Sequence, residues 1–266
     1  MASGDLSRQR YRDMARAGAL ITHMPTLPGA AELTQHLLVF SMIVIAPVWD
    51  RIATRDLKTS TDPNVKRRYY RITSIVLWTA SVVACLAVGG YLPLAHIARM
   101  SGDAPWLPSA QRSAQFLQGA LIGALLVWLV PAALAIWIPT VREKSAKAFK
   151  SLAFFLPTTP KERAWWAIVS VTAGVCEEII FRGFLLRYLH TAPWHLTLIW
   201  AIALSSAIFG LQHLYQGIAG VLQTTVMGVL FCLIFLITGN LAVPILLHTV
   251  MDLRVLLLLP PTPTST

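Results

Sequence analysis

The chain has 266 residues, of which 56% are hydrophobic and only 13% are charged. A typical soluble protein has roughly 25% charged residues, so this composition excludes a soluble enzyme, a disordered chain and a disulfide-stapled secreted module. Uncharged runs near or above the roughly 20 residues that a membrane helix needs occupy 33–49, 72–98, 113–141 and 188–251. The predicted fold class is therefore all-α, a polytopic bundle of about seven, or eight, transmembrane helices.

In chain order, the pattern predicts four regions, which are a basic N-terminal arm at 1–28, transmembrane segments with basic loops at 29–160, a second helical region at 161–259 and a disordered Pro- and Thr-rich tail at 260–266. The predicted spans within them are 33–49, 72–92, 116–138, 164–186, 195–213, 217–237 and 242–259. No internal repeat is apparent.

The net charge of +10 comes largely from two clusters of Lys and Arg, at 50–71 and 142–163, which lie between apolar runs. This placement is typical of cytoplasmic loops of a multi-pass membrane protein and predicts attraction to anionic lipids rather than binding to nucleic acid. With seven spans the N-terminus would then lie outside, despite its four arginines. An eighth segment within 1–30 would remove that conflict.

Three acidic residues lie well inside apolar segments: Glu177, Glu178 and Asp252. An ionisable residue at membrane depth is costly unless it is paired or faces a wet cavity, so each is a functional candidate. On a helix, Glu178 and Arg182 are four apart and can form an ion pair. Glu177 points about 100° away and is free to act as a general base. The alternative is that the acid–base pair only pins helices together.

Two histidines accompany these acids. Phe209 and His213 are four apart near the end of the fifth predicted span, and His248 and Asp252 are four apart within the seventh. Helical spacing places His248 and Asp252 on one face, about 6 Å apart, where they can share one ligand or water. Four further histidines near span ends are interpreted as packing residues; they are His36, His96, His190 and His195.

Three short motifs, in this order on successive helices, resemble the CPBP family. This family comprises type II CAAX prenyl endopeptidases and bacteriocin-processing or immunity proteins, and is also called the Abi family. The motifs are Glu177-Glu178-Ile-Ile-Phe-Arg182, Phe209-Gly-Leu-Gln-His213 and His248-Thr-Val-Met-Asp252, with Gly239-Asn-Leu-Ala-Val-Pro244 ahead of the last. The resemblance covers about 164–254, a third of the chain.

The resemblance implies an intramembrane endopeptidase in which glutamate and histidine activate a water molecule. Carried over to this sequence, Glu177 is the general base and His213 helps to hold and polarise the water. His248 and Asp252 stabilise the oxyanion of the tetrahedral intermediate. The supporting residues are Glu178, Arg182 and Phe209.

The last motif ends in Asp252, whereas the best-studied CAAX endopeptidases have Asn there. An ionised Asp cannot donate a hydrogen bond to an oxyanion, so Asp252 must be protonated, orient His248 or bind a metal. A divalent metal such as zinc stays possible, because carboxylates and imidazoles are its usual ligands. The ligand set would be Glu177, His213, His248 and Asp252.

A second departure is geometric. Simple up-and-down hairpins would put His213 and His248 near opposite membrane faces. If the site residues meet, some helix must be broken, tilted or re-entrant, which is tolerated where irregular backbone lines a cavity. Gly183 and Pro193 are the obvious places.

Three functions remain open at this point. The first is an intramembrane endopeptidase acting on a membrane-embedded protein or peptide, which can be lipid-modified. The second is a non-enzymatic scaffold or immunity protein that retains the motifs for structure. The third is a small transporter or proton relay, since acids and histidines in membrane helices also mark ion pathways. The clustering of the candidate residues favours the enzyme.

Overall fold

The computed structural model describes residues 28–60, 62–88, 111–148, 152–191, 193–238 and 241–259. Within these ranges every regular element is a helix, which confirms the all-α prediction for the described part of the chain. The predicted basic arm at 1–28, except for Pro28, and the predicted tail at 260–266 lie outside the described residues.

The described residues form eleven α-helices, numbered in chain order, and shorter π- and 3-10-helical segments join some of them. The α-helices are α1 (Pro28–Phe40), α2 (Ala46–Thr59), α3 (Val65–Ala87), α4 (Gln111–Trp137), α5 (Pro139–Ala148), α6 (Pro160–Glu178), α7 (Leu186–His190), α8 (Leu198–Leu211), α9 (Gly217–Thr238), α10 (Ala242–Leu253) and α11 (Val255–Leu258). The joining segments are π-helical at Ser41–Ile45 and Ile179–Leu185, and 3-10 at Leu214–Gln216.

Four helical stretches of the described residues are long and apolar enough to cross a membrane, judged by length and composition: Gly29–Thr59, Val65–Ala87, Pro160–His190 and Leu214–Thr238. The predicted count of seven or eight spans is not confirmed. Helix α8, predicted as a span, has 14 residues, about 21 Å at 1.5 Å per residue, which is less than the roughly 30 Å hydrocarbon core. Phe209, near its C-terminal end and part of the second motif, is buried.

The basic stretch 50–71, predicted as a loop, is mostly helical. Helix α2 continues to Thr59 and α3 begins at Val65, so only a short turn separates them. Lys and Arg are good helix formers, and the first turn of α3 is held by Lys66, whose Nζ lies 2.7 Å from the carbonyl oxygen of Leu156. The basic cluster correctly marks the connection between α2 and α3, but the predicted loop is longer than the observed turn.

The helix that carries the first motif has a well-defined start. Thr159 caps α6 by accepting a hydrogen bond from the backbone N–H of Glu162 at 3.2 Å, and the Glu162 carboxylate accepts from the backbone N–H of Thr159 at 3.2 Å. This reciprocal capping box satisfies two of the unpaired donors at the helix N-terminus. It fixes where α6 begins and therefore which way Glu177 and Glu178 face.

Irregular backbone follows at Ile179–Leu185, which is π-helical and contains Gly183. Gly183, where the sequence predicts a broken, tilted or re-entrant helix, lies in this π-helical segment, and the helix continues beyond it. A π-helical turn has i→i+5 hydrogen bonds and is frequent at functional sites. Arg182 lies in this segment and is buried, and the helix continues to His190.

Small residues lie where helices cross most closely. A Cβ atom on Gly174 of α6 would lie 2.1 Å from Thr249 Oγ1 and 2.8 Å from the Thr249 backbone nitrogen on α10. A Cβ atom on Gly210 of α8 would lie 2.0 Å from Thr225 Oγ1 on α9. These glycines let α10 lie against α6, and α8 against α9, at distances that any side chain would increase.

We predict that Gly174→Ala destabilises the protein by about 1–3 kcal/mol, the usual cost of overpacking. The added methyl group must push against the backbone of Thr249, which cannot rotate away as a side chain can. The thermal unfolding midpoint in detergent should therefore fall. Gly123→Ala is the matched control, because a Cβ atom there meets no described atom within 4 Å. Equal midpoints for the two variants would contradict the close approach of α6 and α10.

Candidate active site

Glu178 is the centre of a buried polar triad. Its Oε1 accepts a hydrogen bond from an Arg182 guanidinium nitrogen at 2.9 Å and lies 2.8 Å from His248 Nδ1. The ion pair that the Glu178–Arg182 spacing predicts is thus confirmed. Because a carboxylate can only accept, His248 donates from Nδ1, which leaves Nε2 to face the rest of the site. The side chains of Glu178 and Arg182 are almost completely buried, at 0% and 1% exposure.

Arg182 joins this triad to two more helices. Its second terminal nitrogen donates to the carbonyl oxygen of Gly228 on α9 at 3.1 Å. Its guanidinium carbon lies 4.7 Å from the ring centroid of Phe209 on α8 and 5.3 Å from that of Phe231 on α9. A guanidinium at these distances is attracted to the ring faces. Phe209, predicted as a supporting residue, therefore packs against the guanidinium group of Arg182.

Glu177 and Asp252 approach the other nitrogen of the same imidazole. His248 Nε2 lies 3.9 Å from Glu177 Oε2 and 3.8 Å from Asp252 Oδ2, so the structure places His248 and Asp252 on one helix face as predicted. Both distances exceed a direct hydrogen bond. Glu177 Oε2 is buried and has no hydrogen-bond partner among the described residues, which is unusual for a buried polar atom.

The solvent exposure of the site side chains increases from Glu178 to Asp252. The side-chain exposure is 0% for Glu178, 7% for His248, 16% for Glu177 and 39% for Asp252. The buried end holds the imidazole in place, and the open end is at Asp252. A substrate group would reach Glu177 and His248 Nε2 from that side.

The direct hydrogen bond that orients His248 is the one to Glu178, at 2.8 Å, whereas Asp252 lies 3.8 Å from the other ring nitrogen. The sequence left that role open for Asp252 and paired Glu178 only with Arg182, whereas the structure gives Glu178 both partners. The backbone of Asp252 is itself held, because Trp166 Nε1 donates to its carbonyl oxygen at 3.2 Å. Its carboxylate is left facing the opening of the site.

His213 lies at the end of α8, beside Phe209. Its Nδ1 is 3.0 Å from the backbone carbonyl of Phe209, so Nδ1 donates and Nε2 is left as an acceptor. The Phe209 ring lies between the two histidines, with its centroid 5.0 Å from that of His213 and 6.0 Å from that of His248. The structure brings His213 to the same aromatic wall as His248, with no direct hydrogen bond or ion pair between His213 and the acids in the described part of the chain.

The proposed zinc ligands do not form a metal-binding group. Among the residues that the structure describes, no three or more His, Cys, Asp or Glu side chains are arranged to hold a metal ion. The structure therefore does not bring the donor set Glu177, His213, His248 and Asp252 together in a metal-binding arrangement.

Two residues close to His213 in the structure, Gln212 and Tyr215, were not predicted from the sequence as part of the site. Gln212 donates through Nε2 to the backbone carbonyl of Met42, in the π-helical segment that follows α1. Tyr215 places its ring centroid 6.0 Å from that of His213 and 5.1 Å from that of Phe155. The only signal in the sequence was the position of Gln212 and Tyr215 next to His213.

Comparison with known families agrees with this geometry. Residues 159–254 match the model of the family described as type II CAAX prenyl endopeptidase Rce1-like. The chain carries an Rce1-like domain. This confirms the resemblance drawn from the three motifs, all of which lie inside the match, and supports an endopeptidase at the level of the family. Together with the four apolar helices, it makes the chain an integral membrane protein. No curated protein and no solved structure matches the chain.

We predict that Arg182→Ala lowers the free energy of unfolding by about 3–5 kcal/mol, because it leaves the buried Glu178 carboxylate without its cation. The thermal midpoint of the purified protein in detergent measures the effect. Arg187→Ala is the matched control, since Arg187 lies on the same continuous helix and is exposed. An Arg182→Ala protein as stable as the Arg187→Ala protein would show that the pair does not hold the Rce1-like domain together.

Proposed function

We propose that the protein is an intramembrane endopeptidase that hydrolyses a peptide bond with a water molecule activated by glutamate and histidine. The observation that carries the proposal is the unpartnered Oε2 of Glu177, buried 3.9 Å from His248 Nε2. A general base needs a free lone pair within reach of its proton, directly or through one water. The Rce1-like family is a protease family, and this geometry supports Glu177 as the base.

The residues divide the chemistry between them. Glu177 takes a proton from water, and the water oxygen adds to the substrate carbonyl carbon to form a tetrahedral oxyanion. Glu177 then delivers that proton to the leaving amine nitrogen as the C–N bond breaks. His213 accepts a hydrogen bond from the water through its free Nε2 and so orients the water. Every one of these groups acts in a site shielded from bulk water, where electrostatic interactions are stronger.

His248 stabilises the oxyanion. In this mechanism its Nε2 is protonated and donates to the developing negative charge. Glu178 supports that state, because its carboxylate accepts from Nδ1 at 2.8 Å and compensates the positive charge on the ring. Arg182 pairs with Glu178 at 2.9 Å and holds it in place. The supporting residues thus act through His248.

The substrate proposed is a membrane-embedded protein or peptide, which can be lipid-modified. The protein is multi-pass, and in a bacterial cell it would lie in the plasma (inner) membrane. The basic stretches 50–71 and 142–163 would face the cytoplasm and contact anionic lipids.

We predict that Glu177→Gln abolishes cleavage, with a loss of about 100-fold or more, since general-base catalysis contributes about 10²–10⁴-fold. The substitution keeps the shape of the side chain and removes its basicity. Cleavage of a peptide library by the purified protein, read by mass spectrometry, measures the effect.

Glu32→Gln is the control for this experiment, because Glu32 is an exposed glutamate on α1. Identical cleavage profiles for wild type and Glu177→Gln, or no cleavage by either, would remove the enzyme from consideration. Those results would favour the scaffold or immunity function, in which the motifs serve structure alone.

A further inference from the structure

The proposed reaction leaves a shortage of hydrogen-bond donors at the open end of the site. A tetrahedral oxyanion is stabilised by preorganised donors, and among the residues already assigned only His248 Nε2 can provide one. Glu177 acts as a base, His213 Nε2 accepts, and an ionised Asp252 only accepts. Asp252 lies 3.8 Å from the same Nε2, where its charge would repel an oxyanion rather than bind it.

Tyr215 has an unused donor beside this site. It lies in the 3-10 segment Leu214–Gln216, directly after His213, and its ring centroid is 6.0 Å from that of His213. Its hydroxyl oxygen accepts a hydrogen bond from Gln216 Nε2 at 3.0 Å. That is the hydroxyl's one hydrogen bond within the described residues, so the hydroxyl hydrogen is available to another acceptor.

The tyrosine and the aspartate are fixed on two sides of one aromatic cluster. The Phe155 ring packs against Tyr215, with centroids 5.1 Å apart, and against Trp166, with centroids 5.2 Å apart. Trp166 in turn donates to the Asp252 carbonyl at 3.2 Å. The aromatic cluster thus connects the Tyr215 ring, which lies beside His213, to the helix that carries Asp252.

We propose that Tyr215 is a further catalytic residue, which donates a hydrogen bond to the oxyanion and supplies the donor that Asp252 lacks. This inference rests on the proposed endopeptidase function. In the addition step, water loses a proton to Glu177 and its oxygen bonds to the carbonyl carbon, while the carbonyl π-electron pair moves onto the oxygen. Tyr215 donates to that oxygen and keeps its proton throughout, so no further reactant is needed.

The first test is Tyr215→Phe, which removes the hydroxyl and keeps the ring against Phe155 and His213. We expect kcat to fall by about 100-fold, the lower end of the effect of removing one oxyanion-hole donor, with little change in KM and in the thermal midpoint. Tyr188→Phe is the control; it also removes a hydrogen-bonded hydroxyl, at the His36 contact on the opposite side of the π-helical segment. A rise in KM at unchanged kcat, or wild-type kinetics, would overturn the inference.

The second test places Tyr215→Phe in an Asp252→Asn background. An asparagine amide donates a hydrogen bond, so the hydroxyl should matter less there, and the loss in kcat should shrink to about tenfold or less. Losses of the same size in both backgrounds would show that Tyr215 does not compensate for Asp252.

Different results would contradict the proposed endopeptidase function and the proposed role of Tyr215. A Glu177-dependent cleavage that Tyr215→Phe leaves intact overturns the role of Tyr215 alone. A wild-type protein without Glu177-dependent cleavage overturns the proposed function and the role of Tyr215 together.

Discussion

The buried pair of Glu178 and Arg182 is the constraint on which the Rce1-like domain depends. Removing two charges from water is expensive, and their attraction repays the cost only when the remaining hydrogen-bonding groups are also satisfied. Here partners come from three other helices: the Gly228 carbonyl on α9, the Phe209 ring on α8 and the His248 imidazole on α10. Glu178 Oε2 and Arg182 Nε have no hydrogen-bond partner among the described residues, so the pair is only partly satisfied. One ion pair is nevertheless the point where four helices meet.

Local spacing in the sequence was enough to predict part of this site. The Glu178–Arg182 pair and the shared face of His248 and Asp252 follow from the periodicity of a single helix. The bond from His248 to Glu178 could not be predicted, because it joins helices separated by about 70 residues. It depends on how closely α10 approaches α6 at Gly174, which no local pattern encodes.

Hydropathy predicted the apolar regions better than it predicted their ends. The run that contains α8 has no charge to mark a boundary, yet the helix ends at Leu211. Just beyond this end, the Gln212 side chain donates to the Met42 carbonyl in the π-helical segment after α1, a contact that the hydropathy pattern does not encode. Phe155 likewise lies outside the matched region and still contacts Tyr215. Residues that precede the matched region thus contact a site whose motifs all lie within it.

The π-helical segment Ile179–Leu185 also sets the rotation of α7 about the helix axis relative to α6. Residues on a regular α-helix are rotated by about 100° each, so one residue fewer in this segment would turn α7 by about that angle relative to α6. Tyr188 on α7 would then no longer face His36 on α1, to which it is hydrogen-bonded at 2.5 Å. The wide turn lets α6 present its acids to one set of helices while α7 presents its tyrosine to another. One long helix can therefore make both sets of contacts, which a regular α-helix of the same length could not make together.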